Sequence, residues 1–372
     1  MGGFYIGLMS GTSLDGIDGV LVDLAGAGSG QLVVRAHVHH PFAPELAQEL
    51  LALNSSGADE LHRAALAGNA LVRGYHAVVD ALLAVSGVAR HDVRAIGAHG
   101  QTVRHRPGAF DGTGYTIQLG NPALLAELTG IDVVADFRSR DVAAAGQGAP
   151  LVPAFHRAVF ARADESVAVL NLGGIANLTL LAADGTTLGF DCGPANVLMD
   201  LWQRRVDGRS HDAGGAFAAS GQVIVPLLED LLCEPFLALP PPKSTGRDLF
   251  DAPWLDRHLA GFVNERAQDV QATLAEFSAR AAATALRHHA PDARKLIVCG
   301  GGAFNGHLMA RLGALLPGVL VLASDARGLP AEQVEACAFA WLARTAVERT
   351  PGNIPAVTGA RGPRVLGALY PA

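Results

Sequence analysis

The segment Met9-Ser10-Gly11-Thr12-Ser13-Leu14-Asp15-Gly16-Ile17-Asp18 places hydroxyls, glycines and two carboxylates in one tight turn between apolar runs. Glycines let backbone come close to an anion, hydroxyls and N–H groups supply donors, and carboxylates can hold a hydrated metal ion. An ordinary hairpin turn has the same composition, so both readings stand at this level. Asp191 follows a second apolar run and precedes Gly193-Pro194-Ala195-Asn196. A carboxylate there can act as a general base or orient a metal, or it can simply cap a helix. After Leu296 to Cys299, Gly300-Gly301-Gly302 offers bare backbone on which a flat ligand can lie, or a pliant strand-to-helix turn.

Two further clusters end apolar strands: His99-Gly100-Gln101-Thr102 and Asp136-Phe137-Arg138-Ser139-Arg140-Asp141. Their donors suit sugar hydroxyls or a carboxylate, which arginine grips through two parallel N–H bonds, although surface ion pairs are the commoner fate of such charges. Glu335 sits on an apolar helical run, where solvent exposure is the simpler expectation.

The elements that would carry these residues read as two copies of one plan. A three-stranded meander, Phe4 to Met9, Ile17 to Leu24 and Gln31 to His37, precedes a helix with apolar residues at Leu61, Ala65, Leu66 and Leu71, and then a strand from Ala95 to Ala98. The plan recurs at Val167 to Leu170, a turn at Asn171-Leu172-Gly173-Gly174, Asn177 to Leu181 and Thr187 to Phe190. This predicts two similar α/β domains, with a boundary near residue 130 and a Gly/Pro-rich crossing segment at Gly146 to Pro153. An amphipathic helix over Ala267 to His288, a helix over Glu335 to Glu348 and a tail returning to the first domain complete the reading.

The chain has 372 residues, half of them apolar and 17% charged, which suits a folded enzyme of two domains. A net charge of -7 gives no electrostatic footprint for nucleic acid or an anionic membrane. Lys243 and Lys295 are the only lysines, so an anion site must use arginine, backbone N–H groups or a metal ion. No G-x-x-x-x-G-K-[ST] occurs, which removes a P-loop, and no G-x-G-x-x-G follows the early strands. Four scattered cysteines, and the lack of a signal-peptide core or a membrane span, fit a cytoplasmic protein.

Taken together, these segments resemble the anhydro-N-acetylmuramic acid kinase family, bacterial enzymes of the actin-like ATPase and sugar-kinase superfamily. The likeness runs through Met9 to Gly16, Gly146 to Pro153, Asn171-Leu172-Gly173-Gly174-Ile175-Ala176-Asn177, Lys243-Ser244-Thr245-Gly246-Arg247, Gly300 to Asn305 and Glu335 to Leu342. It implies two facing actin-like ATPase (ribonuclease H-like) domains with a central cleft. The first would span 1–130, completed by 350–372, and the second 131–349 with helical insertions. ATP phosphates would lie on Gly11, Thr12, Ser13, Leu14, Asp15, Gly16, Ile17 and Asp18, with further nucleotide contacts at Gly173, Gly174, Gly300, Gly301, Gly302 and Asn305. Mg²⁺ would accompany ATP, with ligands the sequence does not identify.

The implied reaction opens the 1,6-anhydro ring of 1,6-anhydro-N-acetylmuramic acid with water and phosphorylates the freed O6, in peptidoglycan recycling. Asp191 would be the general base and Glu335 its assistant, with His99, Arg138 and Arg140 contacting the sugar and its lactyl carboxylate. One departure stands out: Asp191-Cys192-Gly193-Pro194-Ala195-Asn196 replaces the D-T-G-P-G-N of the family pattern. Cys192 lacks a strong hydroxyl donor, and Ala195 has a Cβ where glycine would allow positive φ. The rivals are a non-kinase switch ATPase of the same fold and a glycosidase using Asp191 with Glu335 as paired carboxylates. A sugar-responsive repressor would need an N-terminal helix-turn-helix, which is missing before Phe4. An apolar face on the last helix would support a homodimer.

Overall fold

A computed structural model describes residues 3–11, 14–24, 32–246 and 249–372. The expectations for Thr12, Ser13 and Arg247 therefore lie outside the described residues. The chain divides into two compact units, Met1–Val159 with Gln333–Ala372, and Phe160–Glu332.

In the first unit, β1 (Phe4–Met9), β2 (Gly16–Asp23) and β3 (Val33–Pro41) form the expected meander. β4 (Val93–Ala98) adds parallel to β1, followed by β7 (Val133–Ala135), while β5 (Gln101–Pro107) and β6 (Gly114–Leu119) make a separate hairpin. The sheet order is β3-β2-β1-β4-β7, closed by the last strand Ala368–Tyr370, which pairs antiparallel with β7. The division thus falls after Val159 rather than near 130, because β7 pairs with β4 at Ile96↔Val133. Arg138, Arg140 and Glu335 accordingly belong to the first unit.

The second unit repeats the order. β8 (Val167–Leu172), β9 (Ile175–Leu181), β10 (Thr187–Pro194), β11 (Lys295–Cys299) and β12 (Leu320–Ala323) lie as β10-β9-β8-β11-β12. In both sheets the second strand runs antiparallel to its neighbours, and the fourth and fifth are parallel to the first.

Glycine pairing explains how the helix Val334–Val347 reaches the first sheet. Gly7 and Gly97 stand opposite each other on β1 and β4. A Cβ on Gly7 would meet Ala336 O at 1.9 Å, and one on Gly97 would meet Phe339 O at 2.1 Å. The helix backbone rests on bare strand backbone, an approach only glycine permits. That helix buries Val334, Ala336, Cys337, Phe339, Ala340 and Leu342, so the free apolar face expected on it for a homodimer is already used.

On the other sheet face, the helix Glu60–Ser86 buries Leu71, Val72, Tyr75, Val78, Val79 and Leu82. Leu61 and Leu66, two of the apolar residues that mark this helix in the sequence, are exposed at 90% and 55%. They stand five residues apart in sequence, a step that turns around a helix instead of following one face. The helix Ala267–His289 departs from its expected amphipathic pattern, being buried on nearly every side over its first half. It packs between β10 and the helices Val225–Leu232 and Gly306–Leu315. Its one buried acid in the middle turns, Glu276, is bonded by Arg280 and Arg311 at 2.8 and 2.7 Å. Among the described residues no helix is long and apolar enough to cross a membrane.

Candidate active site

Asp191 lies on the edge strand β10, opposite Asn177 of β9, where the register shifts between Asp191 and Gly193. Gly193 has φ 147° and takes up that irregularity. The strand thereby aims the carboxylate between two donors. Asn177 Nδ2 donates to Oδ1 and the Thr245 backbone N–H donates to Oδ2, both at 2.9 Å. The Asp191 N–H in turn donates to Lys243 O at 3.1 Å.

Lys243 is pinned by Phe236 O and Leu237 O at 3.0 and 2.9 Å and lies 4.8 Å from the Phe236 ring centroid. Burial pushes the Asp191 carboxyl up to about 6, while the Asn177 and Thr245 hydrogen bonds and the Lys243 charge pull the other way. A partly exposed carboxylate near this value can both lose its proton at neutral pH and accept one from water.

The two departures in this motif do not disturb it. Cys192 Sγ donates to Ala176 O at 3.4 Å, and burial together with the Asp191 charge pushes the thiol up to about 12, so it stays protonated. A threonine hydroxyl would use the same carbonyl. Ala195 is not among the residues with positive φ, and its N–H donates to Gly174 O at 2.9 Å, so the Cβ imposes no backbone strain.

Asn196 joins this motif to the glycine turn between β8 and β9. Its N–H and Nδ2 donate to Gly173 O at 3.0 and 2.8 Å, and the Val197 N–H donates to Gly174 O at 3.1 Å. A Cβ on Gly173 or Gly174 would meet nothing nearer than 3.7 or 3.9 Å, and one on Gly301 nothing within 4 Å. The protein itself therefore leaves room over these glycines, as a closely approaching ligand requires. Gly300 and Gly302 are glycines for internal reasons. Gly300 has φ +79°, with a Cβ position 2.4 Å from Asn171 Oδ1, and a Cβ on Gly302 would lie 2.5 Å from Leu172 Cβ. Asn305 Oδ1 caps the helix Gly306–Leu315 by accepting from Leu308 N at 2.9 Å, which leaves its amide N–H₂ for a ligand.

In the first unit the opening turn is braced from below. Gly11 O accepts from Leu14 N at 3.3 Å and from Gln101 Nε2 at 3.1 Å, and Leu14 has φ 59°. Gly16 passes so close to β3 that a Cβ would meet His40 O at 2.5 Å. Asp15 is exposed and Ile17 is a core residue. Asp18 Oδ1 accepts from His37 Nε2 and His39 Nδ1 at 3.2 and 3.1 Å. Among the described residues no group of three or more His, Cys, Asp and Glu could hold a metal ion.

His99, Arg138 and Glu335 come together. His99 is buried, with Nδ1–H donating to Ser10 O at 3.2 Å and Nε2 accepting from Arg138 Nη2 at 2.9 Å. Burial and the Arg138 charge hold the imidazole down to about 3, so it is neutral. Arg138 Nη1 also donates to Gly148 O at 2.8 Å. Burial lowers its pKa to about 10, against the opposing charges of Glu335 and Asp141. Glu335, in the first turn of the helix Val334–Val347, is half-buried with its charge directed on Arg138, not fully solvated. Arg140 is exposed. The crossing segment belongs to this cluster, since Asp141 accepts from Gly148 N, Asn353 Nδ2 and Thr358 Oγ1 at 2.8, 2.6 and 2.8 Å.

Sequence reasoning passed over Tyr75, whose hydroxyl meets that of Ser10 at 2.9 Å beneath the opening turn, and gave no role to Asn177, Asn196 and Lys243 around Asp191. Lys243 carried a usable signal as one of two lysines, and Asn177 lies inside a motif already singled out. Tyr75 carried none.

The chain matches the anhydro-N-acetylmuramic acid kinase family over residues 3–372. It is 61% identical over 376 aligned positions to an anhydro-N-acetylmuramic acid kinase of Variovorax paradoxus, with all of both chains covered. It is 62% identical to one of Bordetella petrii, covering all of this chain and 97% of that one. A third, of Nitrosomonas europaea, is 52% identical over 99% of this chain and all of its own. Likeness of this extent, over nearly the whole chain, makes it a member of the anhydro-N-acetylmuramic acid kinase family.

Proposed function

We propose that this kinase acts on 1,6-anhydro-N-acetylmuramic acid, adding water across the anhydro bond and phosphorylating O6. Water oxygen attacks C1 as the C1–O6 bond breaks, and O6 bonds to the γ-phosphorus as the bond to the β-bridging oxygen of ATP breaks. The products are N-acetylmuramic acid 6-phosphate and ADP. Asp191 takes the proton from the attacking water. The observation that carries this role is a partly exposed carboxylate raised to about 6 yet held in one orientation by two donors.

ATP is the proposed phosphoryl donor, with its phosphates at the opening turn and its nucleoside moiety over Gly173, Gly174 and Gly301. The room above those three glycines supports the second assignment. Mg²⁺ is proposed to arrive on the ATP phosphates, where it would neutralise charge developing in transfer; the described residues fit such a water-rich ion better than a resident cage, with Asp15 and Asp18 the nearby carboxylates. Arg140 is the better candidate for the lactyl carboxylate, since it is exposed while three N–H groups of Arg138 are directed at His99 and Gly148. Glu335 and His99 are proposed to order Arg138 and the sugar-facing segment around it. A cytoplasmic setting in cell-wall recycling completes the proposal.

The test is Asp191→Asn, assayed by mass spectrometry for the 6-phosphorylated sugar. Loss of at least about a thousandfold in turnover, with ATP affinity retained, is expected. Near-normal turnover would remove Asp191 as base, and an opened but unphosphorylated product would turn the reading toward a glycosidase.

A further inference from the structure

The second sheet carries a polar row running straight across four strands. Pairing sets Cys299 of β11 beside Asn171 of β8, Asn171 beside Asn177 of β9, and Asn177 beside Asp191 of β10. Directly paired residues share a sheet face, so an amide-lined track leads from the glycine turn after β11 to the carboxylate. Its ends are bonded: Cys299 Sγ donates weakly to Asn171 Oδ1 at 3.9 Å, and Asn177 Nδ2 donates to Asp191 Oδ1 at 2.9 Å.

Resting on the reading of Asp191 as base, we propose that Asn177 is a positioning residue that keeps Asp191 ionised and turned toward the reacting water. The argument is one of unequal satisfaction. Asn177 Oδ1 is buried without a hydrogen-bond partner among the described residues, while Nδ2 is spent on Asp191. A half-satisfied buried amide costs free energy that an apolar side chain at the same place would not. Sheet stability therefore gives no reason for an amide here, and the bond to Asp191 does.

The two donors to the carboxylate also differ in kind. Asn177 comes from an interior strand hydrogen-bonded on both sides, whereas Thr245 N belongs to the loop after the prolines. The sheet side fixes the carboxylate regardless of how that loop moves. The other titratable groups facing Asp191 are Lys243 in the loop and Cys192 on its own strand. On the helix Ala267–His289, His289 lies against Phe190 with centroids 4.9 Å apart, under the influence of His288 and Lys243. β9 presents Asn177 alone, so the substitution removes one neutral donor and no charge.

The experiment measures kcat/KM against pH for the wild type, Asn177→Leu and the isosteric Asn177→Asp, with Asp191→Asn alongside. In Asn177→Leu the acid limb should move up by about one pH unit, with most activity regained between about pH 8 and 9 and KM for ATP changed less than about twofold. In Asn177→Asp it should move further, because two carboxylates at hydrogen-bonding distance cannot both ionise freely. Limbs unmoved in both variants, or a loss equal at every pH, overturn the proposal. If Asn177→Leu does not fold, Asn177→Asp decides alone. Turnover surviving in Asp191→Asn would remove the base assignment itself, whereas an inert Asp191→Asn with unmoved limbs would remove only the role of Asn177.

Discussion

A carboxyl held near 6 in the folded protein should leave a mark on stability that is independent of any activity assay. Asp191 rises from an ordinary value of 3.8 to about 6, so between these pH values the folded state binds more protons than the unfolded one. Stability then falls as pH rises. The contribution is fully present below about pH 4 and is gone above about pH 6. A displacement of about two pH units corresponds to about 3 kcal/mol, an upper figure because the carboxylate is partly exposed. Asp191→Asn cannot ionise, so subtracting its unfolding free energy from that of the wild type cancels every other titrating group. Whatever fixed cost the amide carries beside Asn177 and Thr245 drops out of the slope.

The assay is denaturant unfolding followed by tryptophan fluorescence between about pH 4 and pH 7, in a Trp341→Phe background. Trp202 and Trp254, the remaining tryptophans, both lie in the second unit with Asp191. The wild type should lose about 2–3 kcal/mol relative to Asp191→Asn across that range, or about 4–12 °C in melting temperature for a unit of this size. A difference that stays flat, or one that grows in favour of the wild type with pH, would refute the argument. The burial of Asp191 would then not outweigh its donors, and the basis for a tuned base would go with it.

Gly97→Ala should destabilise the first unit by about 3 kcal/mol or more, because the new Cβ falls 2.1 Å from Phe339 O and only helix movement relieves it; unfolding followed through Trp341 checks this, and a loss under 1 kcal/mol would contradict the close approach. Gly301→Ala should leave stability within about 0.5 kcal/mol, since nothing lies within 4 Å of its Cβ position, yet weaken ATP binding at least tenfold. Calorimetric titration with a non-hydrolysable ATP analogue checks the second half, and unchanged affinity would move the nucleotide elsewhere.

The duplicated architecture was legible because its signals are local. Apolar runs broken by glycine turns can be read in short windows, and both meanders lie within a few residues of their expected bounds. The boundary was not legible, because β7 belongs to the first unit through a parallel pairing with β4, and a three-residue strand has no pattern of its own. Which apolar residues of the long helix meet the sheet was not legible either. Leu61 and Leu66 are apolar, but burial follows the 71, 72, 75, 78, 79, 82 progression that the sheet can cover.

The candidate site divides along the same line between local and cross-strand information. Asp191 and the glycine turns could be picked out as candidates because a carboxylate or a glycine run beside an apolar strand is visible within a short window. What tunes Asp191 could not, because Asn177 is 14 residues away and Thr245 is 54 away, each brought in by a register or a loop that no short window contains. Lys243 shows the limit best. Its scarcity marked it as notable, yet its ammonium is spent on two backbone carbonyls and an aromatic face, and its own carbonyl receives the Asp191 N–H. The lysine thereby fixes the loop whose backbone bonds Asp191 at both its N–H and its carboxylate. In this candidate site residue type marks the carboxylate, and strand register and loop decide which donors meet it and how it is turned.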